Sequence, residues 1–387
     1  MRRGLALLAA SIALSAVLVL PKTDDPYSRT AGIRTAAAAL RGGAERADIA
    51  QDYVGARAVA AGSDPYPILG PAFRQVGLEW DAARHRSPHP PSNMLLVLPL
   101  SWLDYPTFVA VWSWLMMAAI AVSLWALGLR AEWAPLAAVG LLAWQPAAWS
   151  VGQLTAVWLL GVSLAWRWRH LPERAGAAVA VAALTKFFGA VLLLPYLVRT
   201  QWRVLVGFLG VTIAVSGVLI AQELVSAEGT GLISRYLDEG REAASEQVGR
   251  NDNAALLHVA SDRFGWPGLL VMLMLIAAVL FTSLRRRELD RHAFGSCSWA
   301  SVALLPIAWI YSALPMIPAL IAAWQGRLLP RLIAVGFVAV YAIVPPYGDA
   351  PVFRIALATA ALGLALILAT PGSSETPANP GSSSQAH

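Results

Sequence analysis

The sequence predicts an all-α polytopic membrane protein, and three observations carry that prediction: long apolar runs, a shortage of charge, and short connections between runs that alternate between arginine-rich and arginine-poor, with Arg354 the one exception in a short outer turn. Of the 387 residues, 57% are hydrophobic and 13% charged, whereas soluble domains average about 25% charged. The mean hydropathy is +0.58. That balance excludes a single water-soluble core. Backbone polar groups must be satisfied internally in hydrocarbon, so runs of roughly 20 apolar residues are expected to cross as helices.

The elements follow in order. Leu5 to Leu20 comes after Met1-Arg2-Arg3 and has no small-x-small cleavage site behind it, which predicts an uncleaved signal anchor. Further apolar segments run over 108–129, 134–151, 154–166, 175–198, 204–221, 266–284, 296–324, 328–344 and 352–369. The stretches ending at Val198 and Trp324 have polar or Pro interruptions near their midpoints and basic residues at both ends. Each is expected to be a pair of short helices that touches the outer surface at its middle. The sum is about twelve transmembrane or half-membrane helices, with both termini cytoplasmic.

Charge supports this path. Arg2, Arg3, Arg130, Arg167, Arg169, Arg174, Arg199, Arg203, Arg285, Arg286, Arg287, Arg291, Arg327 and Arg331 fall in inside connections, against only Glu132, Glu173, Glu288 and Asp290 there. The pI of 9.8 therefore reflects the positive-inside rule and is no sign of a nucleic-acid partner. Two long extracytoplasmic loops, about 21–91 and about 222–265, contain most of the acids. Residues 1–370 form one membrane domain, and the Ser-, Pro- and Gly-rich tail 371–387 is expected to be a disordered cytoplasmic extension. The single cysteine, Cys297, permits no intramolecular disulfide. Most of the 16 tryptophans are expected to be interfacial anchors.

Three clusters can carry chemistry. In the stretch from Ala47 to Tyr66, small residues at Gly55, Ala56, Ala58 and Ala61 suggest a closely packed helix that ends at Gly62 and an Asp64-Pro65 turn. Asp48 and Asp52 lie four apart and share a face, where like charges repel. They suit either a solvated face or a site in which one takes a proton or binds a sugar, since glycosyl transfer to a hydroxyl needs a carboxylate as base.

Lys186 is one of only two lysines in the chain and sits at the middle of an apolar hairpin. Ionisable groups there are costly and usually functional; a compact ammonium can hold a lipid phosphate, or snorkel to the headgroups. The run His85-Arg86-Ser87-Pro88-His89-Pro90-Pro91-Ser92-Asn93 enters the next apolar segment in extended form and places His89 at the membrane surface, as a ligand or as a solvent-facing side chain. Gln145 and Gly152-Gln153 mark a polar outer turn; in the second loop Arg250, Asn251, Asp252, Asn253 and His258 suit hydroxyl or phosphate binding or plain solvation. None of these has metal-ligand spacing, and no cofactor fingerprint is present.

Taken together, the order of motifs from Asp48 to Trp324 resembles the polyprenyl-phosphate-mannose-dependent mannosyltransferases of glycosyltransferase family 87, within the C-type membrane glycosyltransferases. Asp48-Ile49, Asp52-Tyr53 and Asp64-Pro65-Tyr66 match the family's first outer loop, and Pro90-Pro91, Pro99-Leu100 and Trp112 its next segment. Gly152-Gln153, the Gly176 to Lys186 helix and Asn253 match later motifs. The sequence departs in having Pro88-His89 where relatives have an aromatic. It also has Leu305-Pro306-Ile307-Ala308-Trp309-Ile310-Tyr311-Ser312 where they have a histidine-containing run.

The resemblance implies a GT-C-like fold in the cell membrane with its active site extracytoplasmic. It implies a polyprenyl-phosphate sugar donor, a glycolipid or glycan acceptor, and no cofactor or metal. It makes Asp48 the catalytic carboxylate; with the residue chemistry above, Asp52 is expected in reserve, Lys186 to hold the donor phosphate, and Tyr53, Asp64, Tyr66, His89, Gln153, Asn253 and His258 to bind substrate. Two rivals stand beside it. A transporter or flippase would spread charge through the midplane, and a catalytically silent envelope-assembly scaffold would fit the absent histidines.

Overall fold

Alanine, leucine and valine dominate the apolar runs, and in a computed structural model these runs form helices; no strand occurs among the described residues. The structure describes residues 38, 40–42, 47–78, 85–144, 154–226, 230–248, 253–286, 288–306, 308, 310–343 and 349–369. The expected signal anchor, Gln145, Gly152, Gln153, Arg250 to Asp252, and the tail 371–387 lie outside them.

The polar region before the first described span carries α1 (Ala47–Ala60) and α2 (Leu69–Gln75), followed by α3 (Pro91–Val97), which runs into a 3-10 turn at Leu98–Leu100. Then come α4 (Tyr105–Ala126), α5 (Ala134–Trp144), α6 (Thr155–Arg167) and α7 (Pro172–Thr185). A 3-10 stretch, Phe187–Leu193, leads into α8 (Leu194–Leu197) and α9 (Arg203–Val225).

The expected second outer loop is itself mostly helical. It contains α10 (Leu232–Arg235), a π-helical turn at Tyr236–Gly240, α11 (Arg241–Val248) and the first turns of α12 (Leu256–Leu284). Gly265 bends α12 with φ 63° and ψ −156°, a conformation nearly reserved for glycine, and Pro267 follows it. The chain closes with α13 (Arg291–Ala303), a 3-10 stretch Ile310–Met316, α14 (Ile317–Trp324), α15 (Leu328–Ile343) and α16 (Asp349–Leu368).

Three of these helices, α4, α9 and α12, are long and apolar enough to cross a membrane. Their outward faces expose Trp114, Val206, Ile213, Val218, Val271 and Met274, a belt that only hydrocarbon would cover. The chain is a membrane protein. By contrast α7, with 14 residues, spans only about 21 Å against about 30 Å of hydrocarbon. It stops at Lys186, whose φ of −146° and ψ of 109° are extended. The second interrupted stretch behaves alike, breaking between Ala303 and Ile310. Both interruptions are therefore real ends of short helices.

The tryptophans divide. Trp102, Trp202 and Trp266 are exposed, but Trp144, Trp158 and Trp299 are fully buried. Two of these buried rings are held by indole N–H bonds, Trp144 to the Val338 carbonyl at 3.0 Å and Trp299 to the Thr359 carbonyl at 2.8 Å. Cys297 is also buried.

One end of the bundle gathers the arginine-rich turns. Arg199 donates to the carbonyls of Pro195, Arg286 and Glu288 at 2.6, 2.8 and 2.8 Å. The Arg169 and Arg291 guanidiniums lie 4.2 and 5.8 Å from the Trp166 ring. A cation at helix C-termini satisfies carbonyls that no further turn would reach. At this end α7 and α9 touch through glycine: a Cβ on Gly176 would strike the Val204 carbonyl, and one on Gly207 the Glu173 carbonyl. Because α7 starts here, its other end places Lys186 at the opposite end of the bundle.

Candidate active site

The α1 helix is built to sit close to its neighbours. Gly55 leaves room for the Met94 sulfur and the Pro65 carbonyl oxygen, each of which a Cβ would approach at 2.8 Å. Ile49, Tyr53 and Ala56 face the core. The same packing carries Asp52 inward: its side chain is 2% exposed, whereas Asp48, one turn earlier, is half-buried.

A buried carboxylate requires a partner, and His89 supplies it, with Nδ1 2.9 Å from Asp52 Oδ1. The backbone around His89 is pinned. Its N–H reaches Ser87 Oγ at 3.3 Å, and its carbonyl accepts the Tyr66 hydroxyl at 2.9 Å. Burial pulls the imidazole toward its neutral form, but the charge and hydrogen bond of Asp52, helped by Asp48, outweigh this and raise its pKa above the ordinary 6.5.

Lys186 enters from the other side. Ser92 at the start of α3 donates to the Leu184 carbonyl at 2.7 Å, which draws the end of α7 against the segment that follows His89. The Thr185 hydroxyl turns back on the Ala182 carbonyl at 2.8 Å. The ammonium is within electrostatic range of both Asp48 and Asp52, and His89 is within range of Asp48 and Lys186. Asp48, Asp52, His89 and Lys186 thus form one constellation at one end of the bundle. Beside them Gln51 Oε1 and Asn93 Oδ1 are buried without a hydrogen-bond partner among the described residues.

The remaining candidates have other surroundings. Asp64 is gripped by Arg235, at 3.0 and 2.7 Å in a two-pronged contact, and by Arg86 at 2.9 Å. Burial works against its ionisation, yet these guanidiniums and the Tyr66 N–H hold its pKa below the usual carboxylate value. Glu239 joins both arginines at 2.8 and 3.4 Å, and the Tyr66 and Tyr236 rings lie 5.9 Å apart. This network seats the α10 region of the second polar segment on the first.

Tyr53 is spent on packing: its hydroxyl donates to the Leu103 carbonyl at 2.6 Å and its ring stacks on Phe108 at 4.5 Å. Asn253, fully buried, donates to the Pro306 carbonyl at 2.9 Å and accepts from the N–H groups of Ala255 and Ala308, each at 3.0 Å. His258 stands half-buried on the first turn of α12. Gln153 is outside the described residues.

Sequence reading gave no separate role to Gln51, Asn93, Arg86 or Arg235. Arg86 and Asn93 lie in the run it singled out around His89, and Gln51 stands beside Asp52. Arg235 had no such signal, because 171 residues separate it from Asp64. Among the described residues no three His, Cys, Asp or Glu side chains are grouped to hold a metal ion.

Such a constellation has definite chemical capacity. A half-buried carboxylate takes a proton from a hydroxyl, an ammonium stabilises an anionic leaving group, and orphaned amide oxygens accept from hydroxyls. No curated protein and no solved structure matches the chain. A family model, glycosyltransferase family 87, matches residues 88–371, most of the chain, and takes in His89, Asn93 and Lys186. Asp48 and Asp52 precede the matched span and join it in space through His89 and Lys186. With most of its length matched, and with Lys186 and His89 drawn to the carboxylates of α1, this chain belongs to glycosyltransferase family 87.

Proposed function

We propose that this glycosyltransferase moves mannose, or a related sugar such as an arabinofuranose, from a polyprenyl phosphate to a hydroxyl of a glycolipid or glycan at the outer face of the membrane. The observation that carries the reading is the convergence of Asp48, Asp52 and Lys186 at the end of a short helix in a membrane protein. A lipid-linked donor brings its phosphate to that level, where a fixed cation has something to hold.

In the proposed transfer the acceptor hydroxyl attacks the anomeric carbon opposite the phosphate, with inversion. Its proton passes to Asp48, the new glycosidic bond forms, and the carbon–oxygen bond to phosphate breaks with its electron pair moving onto the phosphate. Lys186 meets that charge. One carboxylate suffices, since no covalent intermediate is formed. The orphaned oxygens of Gln51 and Asn93 suit the remaining sugar hydroxyls, which supply donors.

The test is transfer by the purified protein in detergent from radiolabelled polyprenyl-phosphate mannose to membrane lipids. Asp48→Asn is expected to lower turnover by a factor on the order of 10²–10⁴, and Lys186→Ala to lower it as well. Labelled product that survives both substitutions removes this mechanism.

A further inference from the structure

Two carboxylates one turn apart on α1 lie within electrostatic range of a single lysine, and only one of them is needed as a base. The question the geometry raises is what Asp52 does. It is the more buried of the two, and its Oδ1 is in contact with His89 Nδ1 at 2.9 Å. We infer that His89 is a positioning residue that neutralises Asp52, so that Lys186 is left to serve Asp48 and the donor phosphate; this rests on the transfer reading above.

Charge counting supports it. With His89 protonated, Asp52 and His89 cancel, and Asp48 and Lys186 cancel. The donor phosphodiester adds one negative charge. During transfer the acceptor proton neutralises Asp48 while the departing phosphate gains the second negative charge, so the total in the pocket does not change. Lys186 is in range of Asp48 throughout and meets the same total charge before and after. If His89 loses its proton, Asp52 stands as an unmatched buried anion one helical turn from Asp48, and both repel the phosphate.

The structure prepares His89 for this part. Pro88 and Pro90 stand on either side of it and stiffen the backbone, and Tyr66 and Ser87 fix its carbonyl and N–H. The groups that face the imidazole are Asp52 and Asp48 from α1 and Lys186 from the end of α7. Of these the two acids favour the imidazolium and the lysine opposes it. Their net effect is a raised pKa, so the cation is present at low pH and is lost as pH rises through that raised value. Donor binding should weaken as pH rises through that value.

The experiment measures donor KM and kcat with radiolabelled polyprenyl-phosphate mannose from about pH 6 to about pH 9, in wild type and three variants. Wild-type KM is expected to rise with pH. His89→Gln is expected to raise donor KM roughly tenfold at neutral pH with a smaller change in kcat. His89→Lys, a permanent cation, should bring KM back toward wild type and remove the alkaline rise. Asp52→Asn/His89→Gln, which buries no unmatched charge, should also recover KM and leave it flat with pH.

A His89→Gln protein with wild-type KM and an unchanged alkaline rise overturns the proposal. So does a lysine variant no better than the glutamine one. Should His89→Gln fail to elute as a folded monodisperse species, the double variant decides alone: a KM that still climbs with pH overturns the inference. Absence of product from wild type instead sinks the transfer reading, so the two failures are distinguishable.

Discussion

The two interrupted hairpins of this molecule share a plan and differ in what fills the interruption. In the first, α7 ends at Thr185 and the chain resumes as a 3-10 helix at Phe187; in the second, α13 ends at Ala303 and a 3-10 helix resumes at Ile310. A broken helix in a bilayer leaves backbone groups that lipid cannot satisfy. The second break solves this with Asn253, whose side chain bonds the backbone on both sides of the gap between Ala255 and Pro306-Ala308. Among the described residues the first break has only short side-chain bonds to its own end, Ser92 to the Leu184 carbonyl and Thr185 to the Ala182 carbonyl, and places a charge there. One break is closed with hydrogen bonds, and the other carries Lys186 within electrostatic range of two carboxylates.

Substitutions can break that contrast. Lys186→Ala is expected to have the largest effect: transfer should fall by a factor on the order of 10²–10³. Melting should fall as well but by less than activity does, because the cost of desolvating the ammonium partly offsets the loss of the acids' counter-charge. Asn253→Ala is the converse. It leaves two N–H groups and a carbonyl buried and unmatched, and should lower unfolding stability by about 3 kcal/mol, read as melting in detergent. A variant that melts like wild type yet loses transfer would place Asn253 in the site after all. Ser92→Ala is the smallest, about 1 kcal/mol, and sharpens the comparison if transfer falls more than stability, since the bond then serves to locate Lys186.

Much of this was legible in the residues. Lysine is scarce in the chain, and a lysine within an apolar run is informative because of its cost; Pro306 marked the second break. The shared face of Asp48 and Asp52 follows from helical spacing alone. Pairings across the fold were not legible. His89 lies 37 residues from Asp52 and Arg235 lies 171 from Asp64, and no local periodicity connects such positions. Asn253 looked like a ligand because an amide in a polar loop suits hydroxyls, but the same donors and acceptor suit a backbone gap equally well. Asp64 is a related case: a carboxylate in an outer segment can meet a sugar or arginines, and its contacts with Arg86 and Arg235 could not be read from local sequence.

The glycine contact between α7 and α9 has a mechanical consequence. Near its start α9 is held against α7 through Gly176 and Gly207, while farther along its faces are largely open. At its other end Gln222 accepts the Leu232 N–H at 2.9 Å and Glu223 the Ile233 N–H at 2.8 Å, so α10 and the Arg235 on it ride on that tip. From crossing to tip is roughly 22 Å, and a rock of ~5° about the crossing carries the tip about 2 Å. That displacement exceeds the tolerance of the Arg235 contact with Asp64. A tilt of α9 about its glycine crossing would therefore be felt at the far end, at the Arg235 contact with Asp64.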